Sequence, residues 1–473
     1  VVIIEREVLI IGAGPTGCVV ATLLARHGHQ VLLISDDGRE GGLPVETVVP
    51  GASRTFERLG WSPLLEDPTP HPFLHPGPSR RGRCWGSSML DIQPLDRSQR
   101  GWRFLRPGLD HWLQEQAVQA GVELRKHTRA SGPLPSSGQG PVTLSTPDRS
   151  SVTVDAKLVI AATGRSSAPP FLPVEIEERL PETIALSTIV EDVTEETDVS
   201  IIEAVVQGWI WWLPLGDGRA SLALLCDPSE VKALGRAAIW KRAIQSAQGP
   251  ARNCSTASTR GTPATARLNS ISTGLLLAGD AISAIDPLSS QGLEKALVSA
   301  EATALAARTV LLGDASAATM GDHRQRWERG LFRIHRQRAL DLYRSETRFP
   351  EAPFWQARHA VVESKQTEAN LPAGLLCPSP QLQRHPRWVA AGDRLVRRDG
   401  YRLATSDEES IDHFGSVPTA ALIELVGDQL PMSQLHPRAS RIAPLIQQSP
   451  ATLTTILGEM CRLGWLVEKS STT

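Results

Sequence analysis

The chain predicts an α/β fold: a doubly wound parallel sheet, an interleaved β-sheet substrate domain, and a small C-terminal α+β module of winged-helix-like make-up. Three observations predict it. The apolar run Val8-Leu9-Ile10-Ile11 enters the turn Gly12-Ala13-Gly14-Pro15-Thr16-Gly17 and then a helix from Cys18 to Gly28. A second apolar run, Leu158 to Ala162, ends in Thr163-Gly164-Arg165, and a third, starting at Gly274, ends in Gly279-Asp280 ahead of Pro287 and a new helix at Gly292. Strands that alternate with helices in this way build a parallel sheet with helices on its faces.

The first turn carries the most specific signal. Gly12 permits the tight bend, Gly14 lets the backbone approach a pyrophosphate, and Gly17 lets the helix lie close on the strand. The helix N-terminus then faces the phosphates, so a dinucleotide, FAD or NAD(P), is the expected ligand. Gly28-His29-Gln30 breaks the helix before a strand at Val31 to Ile34. Gly51 to Leu59 reads as a short helix, and Pro63 to Gly82 as a Pro-rich excursion. Arg106-Pro107-Gly108-Leu109-Asp110 opens an amphipathic helix with Leu109, Leu113 and Ala117 at fourfold spacing. A strand starting at Gly121 follows, then a hairpin of Val142 to Leu144 with Val152 to Val154 around Pro147-Asp148.

Gly208-Trp209-Ile210-Trp211-Trp212-Leu213-Pro214 places three tryptophans within four residues, ahead of an apolar strand from Ala220 to Leu225. In a strand, Trp209 and Trp211 point to one face and Trp212 to the other. They read either as a core-filling patch or as a wall lining a substrate. A long helix is expected from about Ala296 to Tyr343. Its second half carries Arg324, Arg326, Arg329, Arg333, Arg336 and Arg338, either a solvated face or a docking stripe. Pro350 to Pro386 reads as a connector. The patterns at Arg402 to Ala404, Thr419 to Val426, Leu430 to Leu435, Pro450 to Leu463 and Gly464 to Glu468 suggest the small C-terminal module. The expected domains are 1–185 with 265–320, interrupted by substrate-domain segments near 65–105; a substrate sheet at 186–264; a helical connector at 321–391; and the module at 392–473.

Composition narrows the function. A chain of 473 residues supports two or three domains and a large core, and a net charge of −2 gives no general attraction to nucleic acid or anionic membrane. Residues 393–473 hold eight Lys/Arg against ten Asp/Glu, which favours a protein or peptide partner over DNA for the module. Six cysteines without paired spacing suggest neither a zinc site nor a disulfide framework. With no leader pattern and no apolar run of spanning length, a cytoplasmic location is expected.

On the Gly12–Gly17 and Gly279–Gly292 motifs the chain resembles the para-hydroxybenzoate hydroxylase-like flavoproteins, with a glutathione-reductase-like Rossmann domain. The resemblance implies FAD held by Gly12, Gly14, Pro15, Thr16, Gly17, Asp36, Arg106, Gly279, Asp280, Gly292 and Leu293. Asp280 would take a ribityl hydroxyl, and the Gly292 helix would face the flavin's pyrimidine edge, where reduced flavin carries negative charge. Two departures stand out. Ser35 occupies the strand-end position of a ribose-binding carboxylate, leaving Asp36 to substitute and implying weaker FAD retention. Thr163-Gly164 replaces an Asp-Gly linked to NADPH use, implying a separate flavin reductase.

The Trp-Ile-Trp-Trp-Leu-Pro run and Val45-Glu46-Thr47-Val48-Val49-Pro50-Gly51 resemble the tryptophan-halogenase branch, whose halogen-carrying lysine lies after the Glu-containing segment. No lysine occurs before Lys126, and arginine, permanently protonated, is a poor substitute. That leaves aromatic hydroxylation by reduced FAD and molecular oxygen through a flavin C4a-hydroperoxide, in a site lined by Glu46, Trp209, Trp211, Pro287 and Gln291, with no base assigned. A halogenase-like build without the lysine, plus a protein-binding type of module, resembles the flavoproteins that mature tryptophylquinone cofactors, the LodB-type proteins among their relatives. The implied substrate is a tryptophan side chain in a precursor polypeptide, alone or in complex with another maturation enzyme. The alternatives are a hydroxylase of a small free aromatic, a halogenase, a geranylgeranyl-reductase-like enzyme, and a flavin-sensing DNA-binding regulator.

Overall fold

The computed structural model describes residues 3–36, 43–48, 53–67, 71–146, 148, 150–165, 174–191, 193, 198–254, 258–271, 274–361, 375–406, 410–411, 413–414, 417–446 and 448–468. The chain forms two compact units, 1–361 and 362–473.

In the first unit, Ile3–Ile11 runs parallel to Val31–Ile34 on one side and to Ser151–Ala161 on the other, with Ile11 opposite both Ile34 and Ala161. Glu123–Arg125 extends the sheet beyond Val31–Ile34, and Leu276–Leu277 pairs in parallel with the end of Ser151–Ala161. Val8, Leu9 and Ile10 are fully buried, as expected of strands covered on both faces. The sheet therefore delivers two turns, Gly12 and Ala162, to the same edge. The expected hairpin and the expected parallel strand 158–162 are one element: residues 151–156 of Ser151–Ala161 pair antiparallel with Gly140–Ser145 on one side, and residues 153–161 pair in parallel with Ile3–Ile11 on the other. Pro147 of its turn lies outside the described residues.

A second, seven-stranded sheet is ordered Arg260–Pro263, Ile184–Val190, Ala220–Cys226, Gly208–Pro214, Val199–Val205, Arg80–Cys84 and Asp91–Pro94. The tryptophan strand sits in its middle and is buried throughout. A third sheet pairs Val45–Val48 and Leu74–Pro76 with Trp102–Leu105. These pairings correct the Pro-rich excursion expected at 63–82. It contains the short helix Ser62–Glu66 and strands of two sheets, because Pro63 stands in the first turn of the helix and Pro76 at the end of its strand, while residues 68–70 lie outside the described ones. The short helix expected at 51–59 spans Ser53–Arg58, and residues 51–52 lie outside the described ones.

The single helix expected from 296 to 343 is two helices, Gly292–Leu311 and Ala317–Arg344. Gly313, at φ +79, ends the first, and Ser316 caps the second by accepting from Thr319 N at 3.1 Å. Arg329 and Arg333 of the second helix pair with Glu177 and Glu178, and Arg324 is fully buried, so these three arginines of the run are engaged within the chain. The expected connector is largely ordered structure. It holds the helix Pro353–His359 and two strands, Leu376–Pro378 and Leu382–Ala391, while residues 362–374 are not described.

The second unit packs the helices Thr419–Val426, Leu435–Ala439 and Pro450–Arg462 around a core that includes Leu422, Leu453, Leu457 and Trp465. Leu376–Pro378 pairs with Leu466–Glu468, tying its beginning to its end. A hairpin of two ten-residue strands, Leu382–Ala391 with Arg394–Leu403, precedes the helices. Among the described residues no helix is long and apolar enough to cross a membrane.

Candidate active site

The first glycine turn has the geometry that its spacing demands. Gly12 lies at φ +110, and a Cβ there would meet Ala162 O at 2.4 Å. A Cβ on Gly17 would meet Gly12 O at 1.8 Å, so only glycine lets the helix Pro15–Arg26 sit this close to the strand. Gly14 differs: its φ of −77° suits any residue, and a Cβ there meets nothing within 4 Å. Glycine at 14 serves no protein contact. It leaves open space before a helix start that no side chain caps, with Pro15 in the first turn. Open space in front of uncapped N–H groups is what a pyrophosphate requires.

The second motif closes onto the first. Gly279 lies at φ +63, and a Cβ would meet Thr16 Oγ1 at 2.3 Å. Thr16 in turn donates to Ala296 O at 3.3 Å, so its hydroxyl joins the two helices. Asp280 accepts from Arg165 Nε at 2.9 Å, and Arg165 Nη2 donates to Ile285 O at 2.7 Å. Asp286 caps the short turn Pro287–Ser289 through Leu288 N at 2.9 Å, Ser290 follows at φ +52, and Gln291 precedes the helix Gly292–Leu311, which also lacks a side-chain cap. Leu293 is buried beneath it.

Between the motifs lies a charged group. Arg106 is the first residue of the helix Arg106–Gln119, whose inward face is Leu109, Leu113 and Ala117, rather than the residue before it. Its guanidinium reaches Glu46 Oε1 at 2.9 Å and Asp110 at 3.1 and 3.2 Å. Glu46 Oε2 lies 3.5 Å from the Cβ position of Gly292, so it borders the second helix start. Burial pushes the Glu46 carboxyl above its usual range against the pull of Arg106, and Asp110 likewise, because one cation serves two desolvated carboxylates. Asp36 pairs with Arg129 at 2.8 Å, so a ribose contact from it would have to share or break that pair.

Trp209 and Trp211 join one core cluster and Trp212 the other, the alternation that the strand pattern predicts. All three are at most 8% exposed, which favours core filling. Trp209 Nε1 donates to Tyr343 Oη at 3.3 Å, and Tyr343 Oη donates to both oxygens of Asp286 at 3.0 and 3.1 Å. A buried hydrogen-bonded line therefore joins the tryptophan strand to the Asp286-Pro287 turn.

Glu46, Arg106, Asp280 and Gly292 come together, and Gly12, Gly14 and Gly17 stand beside them through Thr16 and Gly279. Sequence reasoning missed Arg165, although it follows a parallel strand's end, where such sheets bind ligands. It also missed Lys295, Glu328, Tyr343 and Asp286, whose buried pairings have no local signal. Two uncapped helix starts, an open Gly14 and guanidinium groups beside them fit FAD: its pyrophosphate at the first helix, its flavin at the second.

Comparison with known proteins agrees. A family model described as FAD binding domain matches residues 5–326. A digeranylgeranylglycerophospholipid reductase of Methanopyrus kandleri is 27% identical over 352 residues, 68% of this chain and 82% of its own. Among solved structures, the peptidyl tryptophan dihydroxylase QhpG, essential for tryptophylquinone cofactor biogenesis, superposes with a TM-score of 0.70 at 20% identity, over 97% of this chain and 99% of its own. The flavin-dependent halogenase CmlS gives a TM-score of 0.73 at 18% identity, over 98% and 96%. The chain belongs to the FAD binding domain family and is an FAD-dependent oxidoreductase.

Proposed function

We propose that the chain is an FAD-dependent monooxygenase that hydroxylates an aromatic ring, the indole of a tryptophan side chain in a precursor polypeptide, during tryptophylquinone cofactor formation. When bound and reduced, FAD supplies the electrons that activate molecular oxygen. The chain's own residues do the rest. The two uncapped helix starts orient the cofactor, Asp280 and Arg165 hold its ribityl region, and the Glu46–Arg106–Asp110 group fixes the charge between them. The buried tryptophan strand keeps water from the reacting centre, where water diverts activated oxygen. An indole is electron-rich enough to react without prior deprotonation, so no essential base is assigned.

The observation that carries this reading over halogenation is the state of the lysines. Lys295 is the one buried lysine among the described residues, and its ammonium is committed to Gly279 O, Ser283 O and Glu328. An amine tied down in this way cannot carry a halogen to a substrate. That QhpG, which shares the fold, is a peptidyl tryptophan dihydroxylase supports a polypeptide substrate; the halogenase CmlS matches over as much of the chain, so the lysines and not the extent of the match separate the two. A separate flavin reductase as electron source and a cytoplasmic setting belong to the same proposal. The test is intact and peptide-level mass spectrometry of a tryptophan-containing polypeptide encoded beside this chain, incubated with the protein, reduced FAD, oxygen and halide. One or two added oxygens on tryptophan are expected. A chlorine or bromine mass shift would move the assignment to the halogenases, and an unchanged polypeptide beside an oxygenated free aromatic would move it to a small substrate.

A further inference from the structure

Beneath the Gly279–Ser283 turn lies a group of charges that no water reaches. The side chains of Lys295, Glu328 and Arg324 are at most 1% exposed. Lys295 Nζ lies 3.2 Å from Glu328 Oε2, and Arg324 Nη2 lies 2.6 Å from Oε1. Ser283 Oγ and Ser299 Oγ also donate to this carboxylate. The same groups grip the turn: Lys295 Nζ donates to Gly279 O at 2.9 Å and to Ser283 O, while Gly279 N donates to Ser299 Oγ at 3.0 Å. The backbone next to Asp280 is thus held at both its N–H and its C=O.

The charge count is unbalanced. Two cations face one carboxylate, and Arg324 stacks over Trp327 with its Nε and Nη1 unpartnered. His335 lies near, but burial and the neighbouring cations hold its ring below its usual pKa, so it adds no charge at neutral pH. In the site above the turn Arg267 stands beside Arg165 and Asp280, so Glu46, Asp110 and Asp280 are matched by Arg106, Arg165 and Arg267. A buried ion group with a surplus charge is costly, and replacing such groups with apolar residues is often stabilising, so its presence asks for a use. Lys295 stands three residues into the Gly292–Leu311 helix, ~4.5 Å along the axis from its start, where the helix dipole already favours an anion.

We propose that the Lys295–Glu328–Arg324 group is an electrostatic counterweight: it fixes the Gly279–Ser283 turn, and its surplus positive charge favours the reduced, anionic form of bound FAD over the oxidised form. Lys295, Glu328 and Arg324 are positioning residues. Lys295 and Glu328 act through the turn and the field, and Arg324 through the field, none of them touching the substrate.

The test uses the full chain loaded with FAD and two readouts, oxidised-FAD affinity by fluorescence quenching and midpoint potential by equilibration with a reference dye. Arg324→Gln removes one positive charge without removing any bond to residues 279–283. It is expected to leave oxidised-FAD affinity unchanged and to lower the reduced-to-oxidised affinity ratio about tenfold, ~30 mV in a two-electron potential. Glu328→Gln removes the negative charge and is expected to move the potential the other way. Lys295→Met is expected to lower the potential and to weaken oxidised FAD as well, because the turn loses two bonds. If one variant fails to fold, the remaining ones still carry predictions of defined sign. A merely structural role predicts no shift, or shifts of one sign for Arg324→Gln and Glu328→Gln, and either result overturns the proposal. A wild-type chain that takes up no FAD would instead overturn the site assignment on which it rests.

Discussion

Replacing Gly14 with alanine separates what the protein needs from what the cofactor needs. The backbone at Gly14 is already in a region open to alanine, and the added Cβ meets no protein atom within 4 Å. Reduced freedom of the unfolded chain stabilises such a variant by about 0.4–1 kcal/mol. The weaker capping preference of alanine costs a few tenths of a kcal/mol or more, so the net change without FAD stays within about 1 kcal/mol. With FAD the result differs, because the Cβ enters the space in which the pyrophosphate approaches the helix start. One charge-assisted N–H···O bond is worth about 1.5–3 kcal/mol, so Kd for FAD rises about 10- to 150-fold. Gly17→Ala is the contrast. Its Cβ would sit 1.8 Å from Gly12 O, and the seam between strand and helix must open even without cofactor. Thermal melting of the FAD-free chains and fluorescence titration with FAD read both effects. A Gly14→Ala chain that binds FAD as the wild type does, or one that unfolds without it, would refute the reasoning.

Three further outcomes follow from the same geometry. Tyr343→Phe removes the hydroxyl shared by Asp286 and Trp209, leaving a buried carboxylate short of a donor; urea unfolding should show a loss of about 1–3 kcal/mol, and an unchanged midpoint would mean that the line carries no weight. At Gly208, φ is +146 and a Cβ would lie 1.9 Å from Leu225 O, so Gly208→Ala should cost about 3 kcal/mol or more in a melting experiment. Burial works against ionisation of Glu328, yet Lys295 and Arg324 hold its carboxyl below the unfolded value of 4.5. A depressed carboxyl contributes stability that is present above pH 4.5 and lost as pH falls toward the folded pKa, so the deficit of Glu328→Gln relative to wild type should be largest above pH 4.5 and shrink below it. A deficit that is constant across that range would contradict the ionised assignment.

What could be read from the sequence was what is local. The Gly12–Gly17 spacing announces a turn whose steric demands concern residues a few positions apart, and the Leu109, Leu113 and Ala117 spacing gives the buried face of its helix outright. The alternation of Trp209, Trp211 and Trp212 assigned their faces because a strand has one period. The break between the two long helices was also visible, in Gly313 and the Ser316 cap, but the run of helix-favouring residues on both sides masked it. Distant pairings were not legible. Arg165 meets Asp280 and Lys295 meets Glu328 only after the sheet has brought their segments together, and before folding each looks like an ordinary charge on a polar stretch. The arginines at 329 and 333 show the same limit, since their partners Glu177 and Glu178 lie about 150 residues away.

The most direct test of the central claim is the fate of labelled oxygen. The FAD-loaded chain, reduced anaerobically and then exposed to ¹⁸O₂ with the tryptophan-containing polypeptide, should place ¹⁸O on the indole ring, with none arriving from H₂¹⁸O in the converse experiment. Oxygen drawn only from water would contradict a monooxygenase, and a product that gains only hydrogen would place the chain with the digeranylgeranylglycerophospholipid reductases that it also resembles.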